Sequence, residues 1–358
     1  MYDLRSQFPV LERLAYLNAG TNGPVPRRAV EAAEASLRRQ AEEGRSGTAF
    51  FEETGARADE LRARIAALMC ADTAEVALNG STTDGVNSIL YAHDLRPGDE
   101  LLTSDEEHPG VLAPLAAARA RGIRVRVAPF ATIADAVEPG TRMVVCSHVS
   151  WMTGKLVDTA ALGATGTPVL LDGAQGLGAV PVDVSALGCD FYAASGQKWL
   201  CGPNGIGYVY ARADRIADLR APWPGYQALE DPHDPLDSPL QPDARRLGTG
   251  FPAHHQVEWA HSALDVLEQA GIDAVHGRAG TLALALAERL EAHGLEVAPR
   301  GRSTLVSFAV DDPPAVLERV LAADIVMRAL PGTPYLRASV GAWTADEELN
   351  RVIEVVAG

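Results

Sequence analysis

Short apolar stretches alternate with longer segments of helical period along most of this chain, and no other feature of the sequence restricts its fold as strongly. Several of the short stretches are apolar at consecutive positions, as expected for strands that are buried on both faces. Such alternation predicts a mostly parallel sheet covered by helices, an α/β fold. The predicted strands of this sheet span residues 75–79, 100–104, 123–128, 142–148, 167–172, 189–195 and 205–211.

The remaining segments predict the helices and a second, smaller domain. Helices are predicted at 27–43, 54–69, 82–92, 108–121, 158–165, 254–270, 273–292, 313–322 and 344–356, with further strands at 305–310 and 335–340. The segment 222–242 is rich in proline, which predicts a long irregular loop. We therefore expect a large α/β domain over residues 15–250. A smaller α+β domain is expected to comprise residues 251–358 together with 1–14.

Composition excludes several classes of protein. Apolar residues make up 47% of the chain and charged residues 22%, which is typical of a folded globular protein. The 47 acidic residues outnumber the 31 basic ones, and the net charge of -16 disfavours nucleic acid and anionic membranes as partners. No apolar run reaches the roughly 18 residues that a membrane span needs. The four cysteines contain no CxxC pair and the first residues lack a secretory pattern, so we expect a cytoplasmic protein without a metal site.

An acid and an amine follow two of the predicted strands. Asp172 stands at the carboxyl end of one buried strand, and Lys198 follows another through the turn Ser195-Gly196-Gln197. Open α/β sheets bind ligands in the crevice outside the carboxyl ends of their strands, so both side chains are expected there. The alternative interpretation is an ordinary exposed pair, because most charged side chains simply face solvent.

Two further motifs are expected to border the same crevice. Ser81, Thr82 and Thr83 stand at a predicted helix start, where free backbone N–H groups and the helix dipole favour a phosphate. A plain helix cap is the alternative for this motif. His108, in the sequence DEEHPG, follows a strand end, and its imidazole could lie flat over a planar ring.

Together these residues resemble a known family, the class V aminotransferase group of fold type I pyridoxal-phosphate (PLP) enzymes. The resemblance rests on YLNAGTNGPVP (16–26), DGAQ (172–175), SGQKWLCGP (195–203) and LRASVGAW (336–343). The group contains cysteine desulfurases, cystine and cysteine-conjugate C–S lyases and isopenicillin N epimerase. The resemblance implies PLP as the cofactor and a large domain with a seven-stranded, mostly parallel sheet.

The resemblance also implies roles for individual residues around the cofactor. Lys198 would bind its aldehyde covalently, Asp172 would pair with the pyridine nitrogen, Gln175 would bond the phenolic oxygen and His108 would stack on the ring. The implied phosphate ligands are Ser81, Thr82, Thr83, Ser195 and Gln197, although many relatives carry a histidine in place of Gln197. Thr249 matches a residue that closes the phosphate site of a second subunit, which implies a homodimer with a shared active site.

The implied substrate is a small amino acid. Arg337 matches the arginine that holds the substrate carboxylate, a task suited to the planar fork of a guanidinium group. Asn18, which precedes a turn-rich segment, Trp151 and Arg328 are the other residues expected to bind substrate.

The reaction is predicted from what the chain lacks. Desulfurases of this family carry a nucleophilic cysteine between two arginines near the C-terminus, whereas residues 328–337 contain none. All four cysteines are predicted to be core or near-core residues. We therefore predict a C–S lyase that eliminates sulfur from L-cysteine, cystine or a cysteine S-conjugate and releases pyruvate and ammonia.

Three alternatives remain open. One is an epimerase or aminotransferase of the isopenicillin N epimerase type, and another is a cysteine desulfurase. The third is a cofactor-binding regulator without catalysis, which is disfavoured because the acidic charge does not suit DNA and the N-terminal segment is too short for a DNA-reading module.

Overall fold

The computed structural model describes residues 3–248 and 250–357. Its strands are β1 (Ala15–Tyr16), β2 (Val76–Asn79), β3 (Glu100–Ser104), β4 (Arg124–Ala128), β5 (Thr141–Ser147), β6 (Val169–Asp172), β7 (Phe191–Ser195), β8 (Gly207–Ala211), β9 (Leu305–Ala309), β10 (Ile325–Val326), β11 (Arg328–Ala329) and β12 (Tyr335–Ser339). Its helices are α1 (Arg27–Glu43), α2 (Thr48–Leu68), α3 (Thr82–Ala92), α4 (Pro109–Ala120), α5 (Thr159–Ala164), α6 (Val184–Leu187), α7 (Ala213–Ile216), α8 (His254–Ala270), α9 (Ile272–Ala292), α10 (Pro313–Ala322) and α11 (Asp346–Ala357).

The seven strands predicted from residue 75 onward form one sheet in the order β2-β8-β7-β6-β5-β3-β4. Four of its six neighbouring pairs are parallel, whereas β8 runs antiparallel to both β2 and β7. Every residue of β3, β6, β7 and β8 is buried, because helices cover both faces. The predicted seven-stranded, mostly parallel sheet is thus confirmed.

A second, smaller sheet lies in the C-terminal part of the chain. It has the order β11-β12-β9, and both of its neighbouring pairs are antiparallel. The short strand β1 pairs in parallel with β10 and so ties the N-terminal segment to this region. Ala15 and Leu17 accordingly pack into the same apolar cluster as α9, α10 and α11.

The division of the chain near residue 250 stays a prediction. Helix α8 begins just after that point, yet it packs against α1 and α2 and joins the apolar cluster beside the large sheet. Phe8 belongs to that cluster too and lies 5.1 Å from Trp343, measured between ring centroids. Residues from both sides of position 250 therefore belong to one apolar cluster.

Most predicted helices agree with the structure to within two residues at each end, but α2 begins at Thr48 rather than at residue 54. The proline-rich stretch 222–242 contains one short 3-10 turn, Tyr226–Ala228, and a single bridge between Leu229 and Leu240. The predicted irregular loop is therefore confirmed. Across residues 3–248 and 250–357, no helix is long and apolar enough to cross a membrane.

Candidate active site

Asp172 and Lys198 follow two neighbouring parallel strands. Asp172 is the last residue of β6 and lies opposite Ala193 of β7, while Lys198 comes three residues after β7 ends. Two backbone hydrogen bonds stabilise the turn that carries Lys198. The Gly196 N–H donates to the Ile206 carbonyl at 3.0 Å, and the Gly202 N–H donates to the Gly196 carbonyl at 2.9 Å. The chain therefore brings the acid and the amine to one cavity, as the sequence predicted.

The environment moves both groups toward their neutral forms. Burial, together with the cations of Arg337 and Arg328, lowers the pKa of Lys198 to about 8, although the Asp172 carboxylate opposes the shift. Burial also raises the pKa of Asp172, opposed by Lys198 and by the Ala174 N–H, which donates to the carboxylate at 2.8 Å. An amine with such a pKa is unprotonated often enough near neutral pH to act as a nucleophile or base.

His108 and Trp151 line the same cavity. The imidazole caps helix α4, because its Nδ1 accepts the Gly110 N–H at 3.0 Å. The two rings meet edge to face, with centroids 4.9 Å apart and an interplanar angle of 89°. Burial and then the nearby Lys198 cation lower the pKa of His108 to about 4, so its ring is neutral near pH 7.

Both polar atoms of the Gln175 side-chain amide form hydrogen bonds within the protein. Its Nε2 donates to the Gly20 carbonyl at 2.8 Å, and its Oε1 accepts from Trp199 Nε1 at 3.0 Å. A further bond from Gln175 to a ligand would use the second Nε2 hydrogen. Trp199 was not singled out in the sequence, although it directly follows the lysine.

The predicted phosphate ligands lie beside helix α3, where β7 and β2 end and the antiparallel β8 begins. Ser195 is the cross-strand partner of Gly207, which in turn pairs with Asn79. A Cβ on Gly207 would come within 2.6 Å of the Ser81 backbone nitrogen, so glycine is needed for this close approach. Ser81 Oγ accepts the Asp84 N–H at 3.1 Å and so begins the helix.

Several polar atoms here are buried and have no partner within the described residues. They are Thr82 Oγ1, Ser195 Oγ and Gln197 Oε1, together with both side-chain polar atoms of Asn79. Thr83 Oγ1 lies next to Gly110, at 2.7 Å from the position that a Cβ would take there. Unsatisfied buried hydroxyls at a helix N-terminus are what a phosphate group would complete, so these residues fit PLP. Thr249 lies outside the described residues, and its role stays a prediction.

Arg337 lies in strand β12 of the small sheet and is fully buried, with 0% exposure. Its Nη1 donates to the Trp151 carbonyl at 2.8 Å, while its Nε and Nη2 have no partner among the described residues. Ser339 Oγ is equally buried and unpartnered. These two side chains converge at Gly20, since a Cβ on that glycine would lie 3.0 Å from Arg337 Nη2 and 2.7 Å from Ser339 Oγ.

Sequence reasoning missed Ser339. A signal was nevertheless present, because residues i and i+2 of a strand face the same side and Ser339 stands two positions after Arg337. The Ser339 hydroxyl therefore adds a hydrogen-bond donor beside the predicted Arg337.

Asn18 and Arg328 come close to the same place. Asn18 forms an isolated bridge with Ser339, and its Oδ1 accepts from Thr21 Oγ1 at 2.8 Å. Arg328 Nη1 lies 3.4 Å from Thr21 Oγ1, and its guanidinium carbon lies 5.8 Å from the centroid of the Trp151 ring. The structure thus brings together all four side chains that were expected to bind substrate.

Cysteines do not contribute to this cavity. Cys146, Cys189 and Cys201 are buried as expected, and burial raises the pKa of the Cys201 thiol well above its usual range. The expectation is wrong for Cys70, which is exposed just after α2, because the chain turns there with a positive φ of 53°. No group of three potential metal ligands occurs in the described parts of the chain.

Comparison with known proteins places this site in a family. The model of the aminotransferase class-V family matches residues 15–349. A cysteine desulfurase of Dickeya dadantii is 28% identical over 98% of this chain and 94% of its own length. Isopenicillin N epimerase of Streptomyces clavuligerus is 33% identical, over 57% of this chain and 54% of its own.

Solved structures of the cystine C–S lyase C-DES are also similar, at 27% identity. One holds the reaction product cysteine persulfide, has a TM-score of 0.92 and is matched over 98% of this chain and 99% of its own. Another is a mutant with glycine covalently linked to its PLP cofactor, with a TM-score of 0.93 over 99% of this chain and 98% of its own. The chain therefore belongs to the aminotransferase class-V family, as a PLP-dependent enzyme related to cysteine desulfurases and C–S lyases.

Proposed function

We propose that this enzyme is a C–S lyase that removes sulfur from L-cysteine, cystine or a cysteine S-conjugate by β-elimination. The observation that carries the proposal is the absence of a reactive cysteine beside the cavity, within the part of the chain that is described. Strands β11 and β12 are joined by only five residues, 330–334, in a hairpin closed by the Leu330 N–H and the Tyr335 carbonyl at 2.9 Å. Cys201, the cysteine nearest to Lys198 in sequence, is held as a buried thiol.

In this proposal the large sheet holds the cofactor. Lys198 would provide the covalent attachment through Nζ, Asp172 would pair with the pyridine nitrogen, and the neutral ring of His108 would stack on the cofactor ring. Gln175 would donate a hydrogen bond to the phenolic oxygen, and the phosphate would be held by Ser81, Thr82, Thr83, Ser195 and Gln197. PLP supplies an electron sink for the electron pair that remains on Cα when its proton leaves.

Lys198 is the proposed proton carrier. A pKa of about 8 suits the Lys198 Nζ as the acceptor of the Cα proton of the substrate. The buried Asp172 carboxylate would favour a positive charge on the pyridine nitrogen and so stabilise that electron pair. Loss of the sulfur substituent from Cβ then yields a three-carbon product that hydrolyses to pyruvate and ammonia.

The small sheet is proposed to hold the substrate carboxylate. Arg337 offers Nε and Nη2, and the Ser339 hydroxyl lies beside them. A buried guanidinium group without a carboxylate partner gains strongly from an anion of fixed planar geometry. Asn18, Trp151 and Arg328 complete the binding site.

A cysteine desulfurase is the second candidate, favoured by the nearly full-length similarity to the desulfurase of Dickeya dadantii. The two reactions differ in the carbon product, because elimination yields pyruvate whereas persulfide transfer yields alanine. Incubation with L-cystine, L-cysteine and a panel of S-conjugates, followed by assays of pyruvate, alanine and sulfane sulfur, separates them. Pyruvate formed in step with sulfur supports the lyase, and alanine as the main product contradicts it. Inversion at Cα or amino transfer without sulfur release would indicate the epimerase or aminotransferase.

We also propose a homodimer in the cytoplasm. Phe51, Tyr226 and Phe251 are exposed, and the rings of Tyr226 and Phe251 lie 6.3 Å apart. In the sequence, Phe251 stands two positions after the predicted shared phosphate ligand. Exposed aromatic clusters of this kind commonly mark protein interfaces. All four cysteines are free, which is consistent with a reducing compartment. Light scattering of the purified protein tests the dimer.

A further inference from the structure

The carboxylate of Glu106 contacts three side chains of the turn that carries Trp151. Thr153 Oγ1 donates to Glu106 Oε2 at 2.6 Å, and Ser150 Oγ donates to the same oxygen. Lys155 Nζ lies 3.6 Å from Oε1 and offsets part of the negative charge. The Glu106 side chain is only 15% exposed, so these bonds are shielded from water.

The turn is also closed by its own backbone. The Ser150 N–H donates to the Lys155 carbonyl at 2.8 Å, and the Gly154 N–H donates to the Ser150 carbonyl at 2.9 Å. Gly154 has a φ of +82°, and a Cβ there would lie 2.7 Å from Ser303 Oγ. The turn is therefore tight, and Glu106 fixes it from the side of the large sheet.

The carbonyls on the other side of the turn accept hydrogen bonds from the small sheet and its approach. Arg337 Nη1 donates to the Trp151 carbonyl at 2.8 Å. Ser307 Oγ donates to the Met152 carbonyl, and Ser303 Oγ donates to the Gly154 carbonyl at 2.7 Å. The bond to Trp151 is the one hydrogen bond of the Arg337 guanidinium among the described residues, so that carbonyl sets the direction in which Nε and Nη2 point.

We infer that Glu106 is a positioning residue, which orients Arg337 for the substrate carboxylate through the turn 150–153. This inference rests on the proposed role of Arg337. Without the carboxylate of Glu106, Ser150 and Thr153 lose their common acceptor, and the turn that carries the Trp151 carbonyl keeps only its backbone bonds and the bonds from Ser303 and Ser307. The guanidinium group then loses its fixed orientation, while Lys198 and Asp172 stay where the large sheet holds them.

The test compares Glu106→Ala, Glu106→Gln and the control Glu138→Ala. Glu138 is a mostly exposed glutamate that pairs with Arg126 and lies outside the site. Binding of L-alanine and of ethylamine, an amine without a carboxylate, is followed through the cofactor absorbance of each holoenzyme. For Glu106→Ala we expect L-alanine to bind about tenfold more weakly and ethylamine to bind within about twofold of wild type. Glu106→Gln keeps an acceptor for both hydroxyls, so it should lose less than about threefold.

A double-mutant cycle with Arg337→Lys completes the test. If Glu106 acts through Arg337, adding Glu106→Ala to Arg337→Lys should weaken L-alanine binding by less than about twofold further. Three results would overturn the inference. They are a full effect of Glu106→Ala in the Arg337→Lys background, equal losses of L-alanine and ethylamine binding in Glu106→Ala alone, and no loss of L-alanine binding in that variant. If instead Arg337→Lys itself binds L-alanine like wild type, the proposed carboxylate site is wrong, and that result is distinct from a failure of Glu106 alone.

Discussion

Arg328 lies directly opposite Arg337 on the neighbouring antiparallel strand, so two guanidinium groups are held side by side near the cavity. Neither forms a salt bridge with a carboxylate in the described ranges 3–248 and 250–357. Burial, and then the Arg328 cation, lower the pKa of Arg337 to about 9. Two unneutralised cations at this depth favour an incoming anion, and a substrate carboxylate would supply it.

Arg337→Lys is expected to weaken substrate binding more than it slows chemistry. Lysine replaces a planar two-pronged donor by a point charge, and about 2 kcal/mol of binding free energy should be lost. Steady-state kinetics should therefore show a raised KM with a nearly unchanged kcat and normal cofactor absorbance. Arg96→Lys, at an exposed position, is the matched control. An unchanged KM would move the carboxylate site to Arg328.

Lys198→Ala is expected to abolish both covalent attachment of the cofactor and turnover. No other lysine lies at the cavity in the described part of the chain, so nothing can replace its amine. Absorbance spectra of the purified variant and a pyruvate assay measure the two losses. Undiminished turnover would refute the role of this lysine as the base.

Asp172→Asn is expected to keep the cofactor bound but to slow proton removal. Asparagine can still accept the Ala174 N–H through its amide oxygen, so the local fold should survive. It cannot balance a positive pyridine nitrogen, and the loss should raise the barrier by about 3 kcal/mol. Single-turnover kinetics with a substrate deuterated at Cα report this step directly. A wild-type rate would rule out the proposed pairing.

Cys201→Ser should leave sulfur elimination within a few fold of wild type. The thiol is buried, and burial favours its protonated form, so it is not a ready nucleophile. Pyruvate should accumulate in step with released sulfur in both proteins. Loss of activity in the variant, together with alanine as the wild-type product, would restore the desulfurase interpretation.

Glu107 predicts a pH dependence of stability. Burial raises its pKa from an ordinary 4.5 to about 7, although Ser104 and Ser147 donate hydrogen bonds to it. The folded state thus binds this proton more tightly than the unfolded state. The resulting stabilisation is complete below about pH 4.5 and is lost as the pH rises through about 7.

Glu107→Gln should remove this dependence, because glutamine does not titrate. The free energy of unfolding of the variant, relative to wild type, should therefore rise by about 3 kcal/mol between pH 4.5 and pH 8. Urea denaturation at both pH values measures it. The same difference between variant and wild type at both pH values would contradict the prediction.

Much of the fold and half of the site follow from local sequence. The apolar runs and helical periods fix each element within a short window, and parallel strands bring their carboxyl ends to one edge. Asp172 and Lys198 could therefore be predicted as neighbours, although 26 residues separate them in the chain. The helix start at Ser81 is equally local, because a cap depends on the next few residues only.

The tertiary structure alone decided which polar groups are left free and which are held. β1 pairs with β10 about 310 residues away, and this pairing brings Asn18 to Ser339. The free Ser339 hydroxyl and the hydrogen bonds that link Glu106 through the Trp151 turn to Arg337 depend likewise on contacts between distant segments. Periodicity reports which face of an element is apolar. It carries no information on which distant donor meets which acceptor, because that depends on how the whole chain packs.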